Sequence, residues 1–268
     1  MIYLTGDCHG SFSRFARKKR ERLPYKFTEE DFLIICGDFG LLWARDEEFA
    51  YHLRWLSSLP FRILWVQGNH ENYDMIAEYP LEHWQGGKVR HMVRDRIILL
   101  ERGQIFQIEG KKFFTFGGAS SHDIQGGILD RGSPDFQRRK QRALKQELPY
   151  RIRHESWWEQ ELPTEAEMQE GRDQLSRARY QVDYVITHCL STGMQKKLAG
   201  YYGNLGSKLF PPDILTDYFQ ELEENLQYKQ WFCGHYHEDL RLDSKHKILY
   251  QKILCLRETW GAEEEGNL

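Results

Sequence analysis

Ile2-Tyr3-Leu4-Thr5-Gly6-Asp7-Cys8-His9-Gly10 opens the chain, and Asp31-Phe32-Leu33-Ile34-Ile35-Cys36-Gly37-Asp38 repeats its plan further on. In both, an apolar run ends abruptly in glycine followed by aspartate. An unbroken apolar run of this length reads as a strand covered on both faces, the pattern of a parallel sheet between helices. Arg62–Val66 is a third such run. Between the runs, residues 11–23 are polar and helix-compatible, and Asp46–Leu59 carries Phe49, Leu53 and Leu56 at helical spacing. The order β-α-β-α-β predicts an α/β fold with a parallel sheet and right-handed crossovers.

The pattern then changes. Val89–Val93, Arg96–Leu100, Gln104–Ile108 and Lys112–Phe116 predict four short strands in an antiparallel meander, closed by Gly117-Gly118. Residues 119–180 are polar. Within them, 131–154 hold eight Lys/Arg against two Asp/Glu, and 155–173 hold seven Asp/Glu against one Arg, which predicts two segments that pair with each other. Thr164-Glu165-Ala166-Glu167 is a capping box and starts a helix running to about Tyr180. Asp183–Thr187, Gln230–Cys233 and Lys247–Lys252 predict three more strands, and Pro212 opens a helix to Leu226. The expectation is one domain over 1–256, with 119–180 as a cap-like insert and 257–268 as a frayed acidic tail.

Of 268 residues, 40% are hydrophobic and 14% aromatic, enough to fill a sizeable core and to exclude disorder as the main state. Lys+Arg number 37 against 40 Asp+Glu, so bulk electrostatics do not hold nucleic acid here. The basic runs at Arg14–Arg22 and 131–154 leave a local nucleic-acid contact open, although such runs usually mark solvated helix faces. No apolar run approaches the roughly 18 residues of a membrane helix. The opening residues show neither the basic nor the apolar region of a signal peptide. Five cysteines, an odd count, read as free thiols in a reducing compartment, and the expected location is cytoplasmic.

Five short motifs each follow a strand: Asp7-Cys8-His9, Gly37-Asp38, Gly68-Asn69-His70-Glu71, Thr187-His188 and Gly234-His235-Tyr236-His237. Ligand sites of parallel α/β sheets form outside the carboxyl ends of strands. Asp7, His9, Asp38, Asn69, His188, His235 and His237 offer two carboxylates, an amide oxygen and four imidazoles, more than one ion needs and enough for two. Nitrogen and oxygen donors without thiolate favour Mn²⁺, Fe or Zn²⁺ over Ca²⁺. Glycine before Asp7, Asp38, Asn69 and His235 lets the backbone turn sharply and approach the ions. Alone, His188 reads as a core histidine and Gly37-Asp38 as a turn; the ordered set does not. His122, in the loop Gly117–Asp123 after a strand, stands where a loop can overhang the site, though a surface loop is the commoner reading.

The ordered set resembles the calcineurin-like metallophosphoesterases, whose pattern is D-x-H, G-D, G-N-H-[ED], H and G-H-x-H. The resemblance spans Asp7 to His237. It implies a four-layer αββα sandwich with two mixed β-sheets. It implies one ion at Asp7, His9, Asp38 and His237 and another at Asp38, Asn69, His188 and His235, with Asp38 shared. It further implies a hydroxide between the ions as nucleophile and His70 as the group that stabilises or protonates the leaving oxygen. Relatives that dephosphorylate proteins carry G-D-x-V-D-R-G, with an arginine that grips the phosphate; here Gly37-Asp38-Phe39-Gly40-Leu41-Leu42-Trp43 has none. The expected activity is therefore hydrolysis of a small phosphomonoester or phosphodiester, a nucleotide among the candidates. A nuclease or nucleotide phosphodiesterase with the same site is the alternative, and a non-catalytic metal-dependent binding protein a second.

Overall fold

Every residue of β1 (Ile2–Thr5) and β2 (Phe32–Ile35) is buried, as their unbroken apolar runs require. The computed structural model describes residues 1–202 and 211–256; the predicted acidic tail lies outside them. β1, β2 and β3 (Arg62–Trp65) pair in parallel, with Ile2 opposite Phe32 and Ile35 opposite Trp65. β4 (Leu81–Trp84), β5 (Gly87–Val93), β6 (Ile97–Leu100) and the C-terminal β15 (Leu254–Cys255) complete a sheet ordered β15-β1-β2-β3-β6-β5-β4. A second sheet contains β7 (Gln104–Ile108), β8 (Lys111–Phe116), β11 (Tyr184–Thr187), β12 (Gln230–Cys233), β13 (Leu240–Arg241) and β14 (His246–Ile248). Its order is β13-β14-β12-β11-β8-β7, with β8, β11, β12 and β14 parallel.

Three apolar clusters stack these sheets into four layers. Leu4, Ile34, Leu64 and Ile98 of the first sheet meet Phe106, Phe113, Ile186 and Phe232 of the second. The alternate residues Tyr3, Leu33, Ile63 and Leu99 pack against Phe15, Leu56 and Ile76. Leu56 belongs to α2 (Glu47–Ser57) and Ile76 to α3 (Tyr73–Ala77). On the far side, Phe116, Val185 and Trp231 pack against α5 (Glu165–Arg177), α6 (Thr192–Tyr201) and α7 (Ile214–Asn225) through Met168, Leu198 and Phe219. The period-two alternation of each strand thus feeds two interfaces at once. This is the expected αββα sandwich of two mixed sheets.

Several local expectations change. The predicted meander is two hairpins in different sheets: β5–β6 in the first and β7–β8 in the second. All four residues of β6 are buried, so β6 needs cover on both faces and takes a parallel place beside β3. The chain crosses between sheets at Arg102-Gly103. There the buried Arg102 guanidinium donates to the carbonyls of Gly117 and Gln160 at 2.9 and 2.6 Å. α7 begins after Asp213, whose Oδ1 accepts from the Leu215 and Thr216 amides, rather than at Pro212. Residues 11–23 form only a 3-10 turn at Ser13–Phe15 and the single turn α1 (Arg17–Arg20). The capping box at Thr164 and Glu167 is formed, but its helix stops at Arg177.

Residues 119–164 carry β9 (Ile128–Leu129), β10 (Arg151–Ile152) and α4 (Phe136–Lys145). Arg131 pairs with Glu155 and Arg153 with Glu159, so ion pairs join the basic stretch to the acidic one. Trp158 pins the segment to the sandwich. It is buried in the cluster of the first sheet, donates to Asp74 Oδ2 at 2.7 Å and meets Trp43 edge-on. Removing that ring leaves a cavity and takes one donor from Asp74, which keeps His154 Nδ1 at 2.9 Å. Trp158→Ala is therefore expected to cost about 3–5 kcal/mol, read as a lowered urea midpoint; a loss below about 1 kcal/mol would show that this tryptophan is no anchor.

Candidate metal centre

The carboxyl ends of β1, β2, β3, β11 and β12 open onto one edge of the sandwich, and all seven predicted ligand residues follow them there. Asp7 and Asp38 are almost wholly buried at its floor. Asp7 Oδ2 faces His237 Nε2 at 3.2 Å and His9 Nε2 at 3.6 Å. Asp38 Oδ2 faces His188 Nε2 at 3.4 Å and His9 Nε2 at 3.7 Å. His188 Nε2 lies 3.2 Å from Asn69 Oδ1, and its Nδ1 lies 2.7 Å from the Cys36 carbonyl. His9 and His237 point Nε2 at Nε2 across 2.9 Å. His235 stands beside His188 with ring centroids 5.0 Å apart. Donor atoms of Asp7, His9 and His237, of His9, Asp38 and His70, and of Asp7, Asp38 and His188 form three overlapping groups, each within 4.8 Å.

Local backbone makes this approach possible. A Cβ on Gly68 would sit 2.0 Å from Asp38 Oδ1, and one on Gly234 would sit 2.1 Å from Asp7 Oδ1. Those glycines give room for a close approach rather than the predicted sharp turn. His9, Asp38, His235 and His237 all take left-handed backbone, with φ of 47°, 48°, 70° and 54°. Such conformations cost roughly 1–2 kcal/mol each for residues with a Cβ. Their concentration among the donor residues marks a functional site. Amides hold the outer carboxylate oxygens: His235 N donates to Asp7 Oδ1 at 2.9 Å and His70 N to Asp38 Oδ1 at 2.7 Å.

The inner oxygens are where the fit to a cation shows. Asp7 Oδ2 is buried and makes no directed hydrogen bond. Burial opposes charge on Asp7, yet His237 and His9 outweigh it and hold the carboxyl well below its ordinary range. Burial likewise opposes charge on Asp38 and on His188, and their mutual attraction reverses both shifts. Burial keeps His70, His122 and His235 below the ordinary imidazole range. Metal binding needs the neutral imidazole, so a cation would take the place of the proton that Asp38 favours on His188 and Asp7 favours on His237. Carboxylate, amide and imidazole donors without thiolate fit divalent transition-metal ions.

Other side chains complete the rim. His122 Nε2 lies 2.7 Å from His235 Nε2, so the loop after β8 does overhang the site. Asn69 Nδ2 faces Ser121 Oγ at 3.4 Å, and Ser121 Oγ donates to buried Glu161 Oε2 at 2.7 Å, which turns the Asn69 amide oxygen towards His188. Arg151 Nη2 lies 3.1 and 3.3 Å from the two ring nitrogens of His70. Sequence reasoning missed Ser121, Glu161 and Arg151, because none belongs to a motif with recognisable spacing. Cys8, Cys36, Cys189 and Cys233 are free, buried and pushed up by that burial, as small apolar residues behind the site.

A family model for calcineurin-like phosphoesterases matches residues 1–239, most of the chain. The chain belongs to that family and is a metal-dependent hydrolase of phosphoester bonds. Among solved structures it is similar to the phosphopantetheinyl hydrolase of Mycobacterium tuberculosis, at 15% identity and a TM-score of 0.41, over 93% of this chain and 87% of that one. No curated protein matches it.

Glu161 supplies a pH test of the rim. Burial pushes its carboxyl up from 4.5 to about 7, although Ser121 N and Trp157 Nε1 also donate to it, at 3.0 and 2.8 Å. Between those values the fold keeps a proton that the unfolded chain has lost, so stability falls as pH rises through this window. The loss is about 3 kcal/mol for the metal-free protein. Glu161→Gln should remove that slope in urea denaturation compared at pH 5 and pH 8; parallel pH dependence in both proteins would contradict the assignment.

Proposed function

We propose that this chain hydrolyses a small phosphomonoester or phosphodiester using two divalent ions, Mn²⁺ first, with Fe or Zn²⁺ as alternatives. One ion would be held by Asp7, His9, Asp38 and His237, and the other by Asp38, Asn69, His188 and His235. The observation that carries this reading is the place of Asp38. Its Oδ2 faces His9 on one side and His188 on the other, so one buried carboxylate serves both donor groups. Bound there, the ions would supply Lewis acidity towards the phosphoryl oxygens and a nucleophile at neutral pH.

The chain's own groups do the rest. The amides of His70 and His235 fix the rotation of Asp38 and Asp7. The His70 backbone is tied to Asp38, and its ring stands edge-on to His9 with centroids 5.1 Å apart. A neutral imidazole in that position donates an N–H to the leaving oxygen as negative charge develops. Residues 119–164 bring His122, Ser121, Arg151 and Glu161 to the rim and act as the cap that sets substrate choice, while α5, the rest of the expected insert, packs on the second sheet. Among the described residues no helix is long and apolar enough to cross a membrane. Buried free thiols suit a reducing compartment, and we place the enzyme in the cytoplasm.

Titration of chelator-stripped protein should saturate at two Mn²⁺ per chain, and a saturating value of one or none would refute the reading. Asp38→Asn should weaken both sites and abolish turnover. His70→Asn should keep both ions and slow turnover by roughly 10²–10⁴, least for esters with good leaving groups. Loss of an ion from His70→Asn would show that His70 is a ligand instead.

A further inference from the structure

In the loop between β2 and α2 the cationic side chain is Arg45, which is exposed and paired with Glu78. The two other buried arginines near the site are occupied. Arg14 donates to Thr5 Oγ1 and to the carbonyls of Gly6, Asp7 and Tyr250. Arg102 donates to the carbonyls of Gly117, Gln160 and Glu161. Arg151 differs. It stands on β10, its side chain is 13% exposed, and Asp123 grips it as a fork through Nε at 2.8 Å and Nη2 at 2.5 Å. The Ser156 carbonyl takes Nη1 at 3.4 Å. That clamp leaves the remaining Nη2 proton directed at His70.

The contact with His70 is not an ordinary hydrogen bond. Nη2 is nearly equidistant from both ring nitrogens, which places it over the ring rather than in line with either lone pair. Asp123 meets the charge of the guanidinium along one edge, and Nη2 is also aimed at the His70 ring, beside a cluster of metal-type donors where a bound phosphoryl group would be a second anion. Guanidinium is the side chain suited to that partner, because its planar fork matches two phosphoryl oxygens.

We propose that Arg151, aimed by Asp123, is the phosphate-recognition residue of this enzyme and that it selects a dianionic phosphomonoester over a monoanionic phosphodiester. The inference rests on the phosphoesterase site of the preceding subsection and deepens it by naming the substrate class. A terminal phosphate presents a free, doubly charged set of oxygens to the guanidinium. A diester has one charge and hides an oxygen behind its second substituent. Arg151 thus supplies, from the insert, a cation beside His70, while Arg45 of the β2 loop is held by Glu78.

The test uses the full-length, Mn²⁺-loaded protein with p-nitrophenyl phosphate and bis-p-nitrophenyl phosphate, which share a leaving group. Inorganic phosphate binding by calorimetry and metal content are measured alongside. In Arg151→Gln, kcat/KM for the monoester should fall roughly 10- to 100-fold, the size of a lost charge-assisted hydrogen bond. The diester should fall only a few-fold, phosphate affinity should weaken in step with the monoester, and metal content should hold. Arg151→Lys, which keeps the charge without the fork, should fall between wild type and Arg151→Gln, and it covers the case in which Arg151→Gln fails to fold. Equal losses on both esters with unchanged phosphate affinity would overturn the proposal and leave Arg151 as a support for His70. Wild-type protein that binds two ions and hydrolyses the diester better than the monoester would overturn it while sparing the phosphoesterase reading. Wild-type protein inactive on both esters would remove that reading and this one together.

Discussion

Two carboxylates, Asp7 and Asp38, share a floor almost sealed from water, and the architecture around them answers that one electrostatic problem. Burying a carboxylate without a partner is prohibitive, and burying two side by side adds their repulsion. Backbone amides satisfy one oxygen of each, and imidazoles face the others. The imidazoles reach them only because four donor residues adopt left-handed backbone and because Gly68 and Gly234 leave room. The sandwich holds that strained geometry in place, since the strands leading into it are buried on both faces. Asp38 and His188 hold each other in charged form, while Asp7 keeps an oxygen without a directed hydrogen bond. Cations in the pocket would relieve both features.

What was legible in the sequence was whatever depends on local pattern. Unbroken apolar runs located β1, β2 and β3, and the glycine-punctuated motifs at strand ends located the donors. The capping box located the start of α5. Pattern did not say which sheet a strand joins. Ile97–Leu100 and Gln104–Ile108 look like neighbours in one meander, yet the turn between them carries the chain from one sheet to the other. Two-residue strands such as β9, β10 and β15 carry too little periodicity to be seen. Ser121, Arg151 and Glu161 were invisible for a related reason. Each reaches the site through tertiary folding of a polar segment, and only its surroundings distinguish it from the many exposed polar residues nearby.

In the proposed enzyme that segment would also link recognition to chemistry. On the proposed reading, the strand-end motifs build a centre that treats any phosphoester alike, because their donors would address ions and not the rest of the substrate. The residues added from 119–164 act one step outward: Ser121 and Glu161 orient Asn69, His122 abuts His235, and Arg151 covers His70. Trp158 and the Arg131–Glu155 and Arg153–Glu159 pairs hold the segment in register. Both pairs are exposed and each is worth little alone, so the buried tryptophan is the stronger fastener.

The central claim is that Asp38 is shared by two ions. Crystals soaked in Mn²⁺ and measured for anomalous scattering at the manganese edge test it most directly. The account predicts two anomalous peaks on either side of the Asp38 carboxylate, one against His9 and His237 and one against Asn69 and His188. A single peak, or two peaks of which only one contacts Asp38, would contradict it.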